Sequence, residues 1–183
     1  MQGRITVPVR TFICLAIALA AASPAAANAC ERDGARPSKL TVKEAREAVL
    51  CLVNQRRRAA GLGRLRHEGH LKRAAQRHSK SMDKANFFSH SGPGGSSPLS
   101  RIRSTGYISG ASAWGIAENI RWGKGPRGSP KAAVASWMKS AAHRSALLEN
   151  SYRHIGIGVA LGSPTGGGEG NTAIYTTTFG YRR

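Results

Sequence analysis

Apolar and polar positions along this chain follow two rhythms, one early and one late. From Val42 the residues Ala45, Val49, Leu52 and Val53 recur at the spacing of one helical face, and the run ends at Gly61. Thr41-Val42-Lys43-Glu44 has the form of a capping box, in which a hydroxyl and a carboxylate satisfy amides that a helix start leaves free. Leu71, Ala75, His78 and Met82 mark a second helix that should stop near Asn86. Ser97-Pro98 opens a short third, with Leu99 and Ile102 facing inward before Gly106, and Ser129-Pro130 opens a fourth with Ala133, Val134, Trp137 and Met138 as its apolar face. Then the period drops to two. Over residues 153–161, Ile155, Ile157, Val159 and Leu161 alternate with Gly156, Gly158 and Ala160, which predicts a strand with one branched apolar face and one face bare enough for close approach. Residues 172–179 are β-branched and aromatic and predict its partner across the Gly-rich turn 162–170, and residues 115–122 predict a third strand. Helices first and adjacent antiparallel strands later, with no internal repeat, predict an α+β fold in which helices layer on a small, mainly antiparallel sheet.

Residues 1–29 stand apart from this pattern. Arg4 and Arg10 form a basic start, an apolar run too short to span a bilayer follows, and Ala27-Asn28-Ala29 supplies the small residues of a cleavage site. The expectation is a signal peptide and a secreted protein, with lipid anchoring at Cys30 as the alternative. Of the three cysteines, Cys14 leaves with the leader, so Cys30 and Cys51 should pair in an oxidising compartment. That bridge ties residues 30–44 to the domain expected over 45–183 and contributes roughly 3 kcal/mol in the chain-entropy model. No second long apolar run follows, and about 150 residues suit one domain, expected as a monomer.

The formal charge of +19 becomes +17 without Arg4 and Arg10. Such a surface associates with polyanions. No motif interleaves aromatic residues with the basic ones for base stacking, so a specific nucleic-acid partner is not expected, and an anionic cell-envelope component fits a secreted chain better.

Of six histidines, four carry little chemistry in this pattern. His67-Glu68-Gly69-His70 spaces its histidines three apart, where a metalloprotease helix needs four. His78 lies on the apolar stripe and reads as a hydrogen-bonded core residue, and His154 reads as surface. His90 follows Phe87-Phe88 where a helix gives way to a Gly/Ser loop, and His143 sits between two helical segments, so both stand at element ends where side chains can converge. Glu118 places a carboxylate in an otherwise apolar strand, and a buried acid needs a partner. Two imidazoles and a carboxylate could bind Zn²⁺ with an open position, or serve as an acid/base set without metal.

Taken in order, Leu52-Val53-Asn54-Gln55-Arg56, His78-Ser79 with Met82, Phe87-Phe88-Ser89-His90, Ala117-Glu118-Asn119-Ile120, Trp137-Met138-Lys139-Ser140 before His143-Arg144, and Ile155-Gly156-Ile157-Gly158-Val159 resemble the strings of bacterial CAP (SCP) proteins. That superfamily includes cysteine-rich secretory proteins, antigen 5 and pathogenesis-related protein 1. The resemblance covers residues 45–181 and implies an α-β-α sandwich whose central cleft carries two histidines and two acids, with divalent metal such as zinc associated with it. It implies that the Phe pair anchors His90 toward the cleft. His90, Glu118 and His143 match three of the four positions, with Asn119 beside them. Ser140 stands where the second acid would be, and Ala142 where Gly commonly precedes the second histidine, so metal held by His90 and His143 should bind differently here. Three functions are consistent with this. The first is binding of a lipid, sterol or cell-envelope ligand without efficient turnover. The second is a hydrolase using metal-bound water with Glu118 as base, or a Ser89 or Ser140 nucleophile. The third is electrostatic adhesion to anionic polymers.

Overall fold

A computed structural model describes residues 30–167 and 170–183; the expected leader, residues 1–29, lies outside them. Helix α1 (Val42–Ala59) starts on the predicted capping box, with Glu44 N–H donating to Thr41 Oγ1 (3.2 Å) and Thr41 N–H to Glu44 Oε2 (2.7 Å). Helix α2 (Gly69–Lys84) is capped by Glu68, whose carboxylate accepts from Leu71 N–H at 2.7 Å. Helix α3 (Pro98–Arg103) is capped by Ser97 and α4 (Pro130–Lys139) by Ser129, each with proline in its first turn. A fifth helix, α5 (Ala141–Leu148), follows at once, and Ser140 closes one helix and opens the next.

The strands are β1 (Arg66–His67), β2 (Trp114–Lys124), β3 (His154–Ala160) and β4 (Thr172–Arg182), in the order β1-β3-β4-β2. Strands β3 and β4 pair antiparallel, as do β4 and β2, in the predicted sense. The two residues of β1 lie parallel to β3, and a run that short shows no alternation from which to expect it. On one face of the sheet α1, α4 and α5 pack Val49, Val53, Trp137 and Leu147 against Ile155, Ile157, Tyr175 and Phe179. On the other face lie α2 and α3, in two smaller clusters around Leu71, Ile102 and Tyr107, and around Met82, Ile120 and Ile174. The arrangement is an α+β sandwich of helices, sheet and helices.

Contact between α2 and the sheet is unusually close because β3 presents glycine there. A Cβ at Gly156 would lie 2.1 Å from the Leu71 carbonyl carbon, and one at Gly158 2.2 Å from the Ala75 carbonyl oxygen. Polar side chains complete the contact: Ser79 donates to Thr176 Oγ1 (2.8 Å) and Thr178 to the Leu71 carbonyl (3.1 Å). From the same helix Gln76 reaches the outer edge of β3, where its amide donates to the Val159 carbonyl (2.8 Å) and accepts from Val159 N–H (3.1 Å).

Cys30 and Cys51 are joined by a disulfide, which fixes the N-terminal segment against α1. With its sulfur committed to Cys51, Cys30 has no thiol to carry a lipid, and the anchored alternative is set aside. We expect Gly158→Ala to force α2 off the sheet and to destabilise the fold by about 3 kcal/mol. Urea unfolding measures this, and a loss below about 0.5 kcal/mol would show that the helix shifts freely.

Candidate functional site

Strand β2 is an edge of the sheet, and its successive side chains point into different helical layers. Glu118 turns toward α2 and α3, and its side chain is 2% exposed. Asn119, the next residue, turns the other way and donates from Nδ2 to the His143 carbonyl at 3.0 Å, fastening the first turn of α5 to the strand. His90 comes from the loop after α2 and places Nδ1 2.9 Å from Glu118 Oε1 while its ring stays 46% exposed. Of the sequence-predicted residues, His90 and Glu118 are thus in direct contact in one layer, while His143 belongs to the other layer and is tied to the strand through its carbonyl.

Glu118 also has partners that the sequence did not single out. Arg101, in α3, donates through Nη2 to both carboxylate oxygens (3.0 and 2.9 Å) and to the His90 carbonyl (2.9 Å), and through Nη1 to the Ser96 carbonyl (2.8 Å). One guanidinium thus neutralises the acid and ties it to the histidine's own backbone. His78 is buried, as expected, and donates from Nε2 to the Ser89 carbonyl at 2.9 Å. The same nitrogen lies 3.8 Å from Glu118 Oε1, so His78 forms the inner wall of the site. No local periodicity could reveal Arg101; the one signal was the buried acid's need for a cation.

Burial holds His78 below the ordinary imidazole value, with Arg101 and His90 adding to the effect against the pull of Glu118. His143 is also held down, first by burial and then by the neighbouring His90. The hydrogen bond from Nδ1 to the carboxylate orients the ring of His90, whose side chain stays half-exposed, the arrangement of an imidazole positioned by an acid.

Two further expectations change. Only Phe87 anchors the loop, packing on the Met82–Ile120–Ile174 cluster and 5.9 Å from the His78 ring; Phe88 is 41% exposed. His154 is not simply surface: it is half-buried, and Tyr107 Oη lies 2.9 Å from its Nδ1. Ser140 lies half-buried between α4 and α5, and its side chain makes no cap hydrogen bond.

Among the described residues no group of three His, Cys, Asp or Glu side chains is arranged to hold a metal ion. The chemistry of the donors agrees. A catalytic zinc centre uses three protein ligands, and here the carboxylate that would join two imidazoles already faces a guanidinium. This donor set does not fit such a centre.

A four-stranded sheet held between two layers of helices is the architecture of the CAP fold. The chain belongs to that family: the model of the cysteine-rich secretory protein family (CAP) matches residues 50–179. It is 33% identical over 139 residues to the uncharacterized protein YkwD of Bacillus subtilis, a match covering 76% of this chain and 51% of YkwD. It is 34% identical over 113 residues to the uncharacterized membrane protein YlbC of the same organism, covering 61% of this chain and 30% of YlbC. The chain thus spans about half of one curated relative and under a third of the other. Among solved structures it superposes on an outer surface protein of Borrelia burgdorferi with a TM-score of 0.65 at 19% identity, covering 79% of this chain and 97% of that one. A Bacillus anthracis extracellular protein containing an SCP domain gives 0.56 at 24% identity, covering 76% and 43%. These two likenesses establish the fold.

The buried charges can be tested by substitution and by pH. Arg101→Met strands Glu118 in the interior and should cost about 3–5 kcal/mol, whereas adding Glu118→Gln should recover a large part of it; chemical denaturation of both variants measures the coupling. Because the folded His78 titrates below its unfolded value of about 6.5, the unfolded chain binds more protons as pH falls. His78 therefore stabilises the fold above about pH 6.5, and that contribution is lost on acidification, by up to ~1.4 kcal/mol per pH unit. His78→Gln should flatten the decline in unfolding free energy between pH 7.5 and 5.

Proposed function

We propose that this is a secreted, monomeric binding protein without efficient turnover, which holds a lipid- or sterol-class ligand from the cell envelope at the cleft over β2. The observation that carries the reading is the Arg101 guanidinium on both oxygens of Glu118. With both of its oxygens already accepting from a guanidinium, this carboxylate has little left to offer a metal ion or an attacking water, which argues against a metal-water hydrolase with Glu118 as base. What remains available to a ligand is the outer nitrogen of His90, the imidazole of His143 and, two residues from His90, the exposed ring of Phe88. An exposed aromatic two residues along the chain from a half-exposed imidazole suits an amphiphile, headgroup to the imidazoles and apolar chain along Phe88. The leader-like residues 1–29, the Cys30–Cys51 disulfide and the surface or extracellular description of the two structural neighbours support secretion. The net charge of +17 left without the leader supports an anionic envelope as the place of work.

Mass spectrometry of lipid extracted from the purified protein tests this directly. Lipid should co-purify with the wild type and fall about tenfold or more in Phe88→Ala and in His90→Ala/His143→Ala, while Glu118→Gln retains it. A lipid-free protein that hydrolyses ester or peptide substrates, and loses ~10²–10⁴-fold of that rate in Glu118→Gln, would replace this reading with the hydrolase. Binding that vanishes in salt and ignores all these substitutions would replace it with simple adhesion.

A further inference from the structure

The opposite edge of the sheet carries a second, unrelated concavity. Strand β1 covers the outer edge of β3 only as far as Ile155, whose carbonyl accepts from Glu68 N–H at 2.9 Å, and Gln76 covers it at Val159. Ile157 lies between these two covers, and the alternation that turns the main chain of Ile155 and Val159 outward turns that of Ile157 the same way. A cavity of about 320 Å³ opens at that point, with Ile157 and Leu50 as its apolar floor.

Its walls are cationic. Lys43 and Arg46 enter from α1 and Lys72 from α2, with His67 of β1 beside them. Glu47 is the one carboxylate in the lining, it lies 4.0 Å from Lys43, and both are well exposed to water. The nearby Glu68 carboxylate is engaged in capping α2. Arg46 donates from Nη2 to Gln76 at 2.6 Å, yet its buried Nε has no hydrogen-bond partner. His67 is held below the ordinary imidazole value by burial first and then by Lys72 and Arg46, against the pull of Glu68. Three fixed cations against one carboxylate leave a surplus of two positive charges around a space of small-ligand size.

We propose that this cavity binds a dianionic phosphoryl group, held by Arg46, Lys72 and Lys43 above the Ile157 main chain. A dianion balances the surplus, and phosphate oxygens accept from guanidinium, ammonium and amide donors together. The site is independent of the cleft at β2, and either can fail without the other.

His67 is the built-in reporter. Its ring resonances are followed by NMR through a pH titration in sodium phosphate and in sodium chloride of equal ionic strength. Bound phosphate should raise the His67 midpoint by about one pH unit while His143 and His154 stay put. Lys72→Gln, which leaves the Arg46–Gln76 contact in place, should weaken the phosphate response about tenfold, and Lys43→Gln should weaken it less. A His67 midpoint that ignores phosphate, or that moves equally in wild type and Lys72→Gln, overturns the proposal. Flotation with vesicles carrying phosphatidic acid then assigns the source of the group. Capture that depends on Lys72 supports the proposal with a lipid headgroup as ligand. No capture, with the phosphate response intact, supports it with a soluble phosphate ester. Capture unaffected by Lys72→Gln, and matched by vesicles of phosphatidylglycerol, overturns it in favour of general attraction to a basic surface.

Discussion

Everything near the cleft depends on how low helix α2 can sit on the sheet. Two glycines of β3 let the helix backbone approach to a distance at which any side chain would collide, and Ser79, Thr176 and Thr178 satisfy the polar groups enclosed by that approach. The depth of the helix sets the position of His78, which holds the Ser89 carbonyl and so the loop leading to His90. Phe87 closes the same loop onto the core from its other side. A catalytic or binding histidine on a loop is only as well placed as the scaffold that carries it, and here that scaffold is fixed by main-chain contact rather than by interlocking side chains.

The second layer arrives by a different route. Arg57 is fully buried at the end of α1, and its guanidinium donates to the carbonyls of Gly63 (2.8 Å), Leu147 (3.0 Å) and Glu149 (2.9 Å), gathering the end of α5. Asn119 fastens the start of that helix, and Trp137 Nε1 donates to the Ile120 carbonyl at 3.1 Å to seat α4 on the same strand. His143 is therefore held from both ends of its helix. Arg57 and Arg101 both place a guanidinium in the interior, one capping carbonyls and one neutralising an acid. In a chain this basic, charge is a structural material as well as a surface property.

Much of this was legible along the chain. Capping residues announced three helix starts, the change of period from about 3.6 to 2 separated helices from strands, and alternating glycines announced a face for close approach. These signals are local, so a linear reading finds them. Others depend on which elements meet. Arg57 sits in the run Arg56-Arg57-Arg58 and looks like its neighbours, although it alone of the three is buried. Arg101 gives no sign of facing Glu118 until α3 is laid against β2, and His78 reads correctly as core while its proximity to the carboxylate stays hidden. His154 looked exposed because its cover, Tyr107, comes from a segment without regular structure. The resemblance to the CAP family is what paired His90 with Glu118, which spacing alone did not.

Gln76 has a consequence beyond the fold of one molecule. The outer edge of β3 past Ile155 is a row of peptide groups of the kind on which a second chain can add itself as a strand, and a protein at high concentration meets its own copies often. By presenting both an amide donor and an amide acceptor to Val159, a single side chain imitates the next strand and ends the ladder there. Arg46, bonded to that same amide, puts a positive charge at the spot, so an approaching copy meets an occupied edge and a like charge together. At this edge of the sheet, protection against pairing with another copy thus falls to one glutamine and the arginine bonded to it.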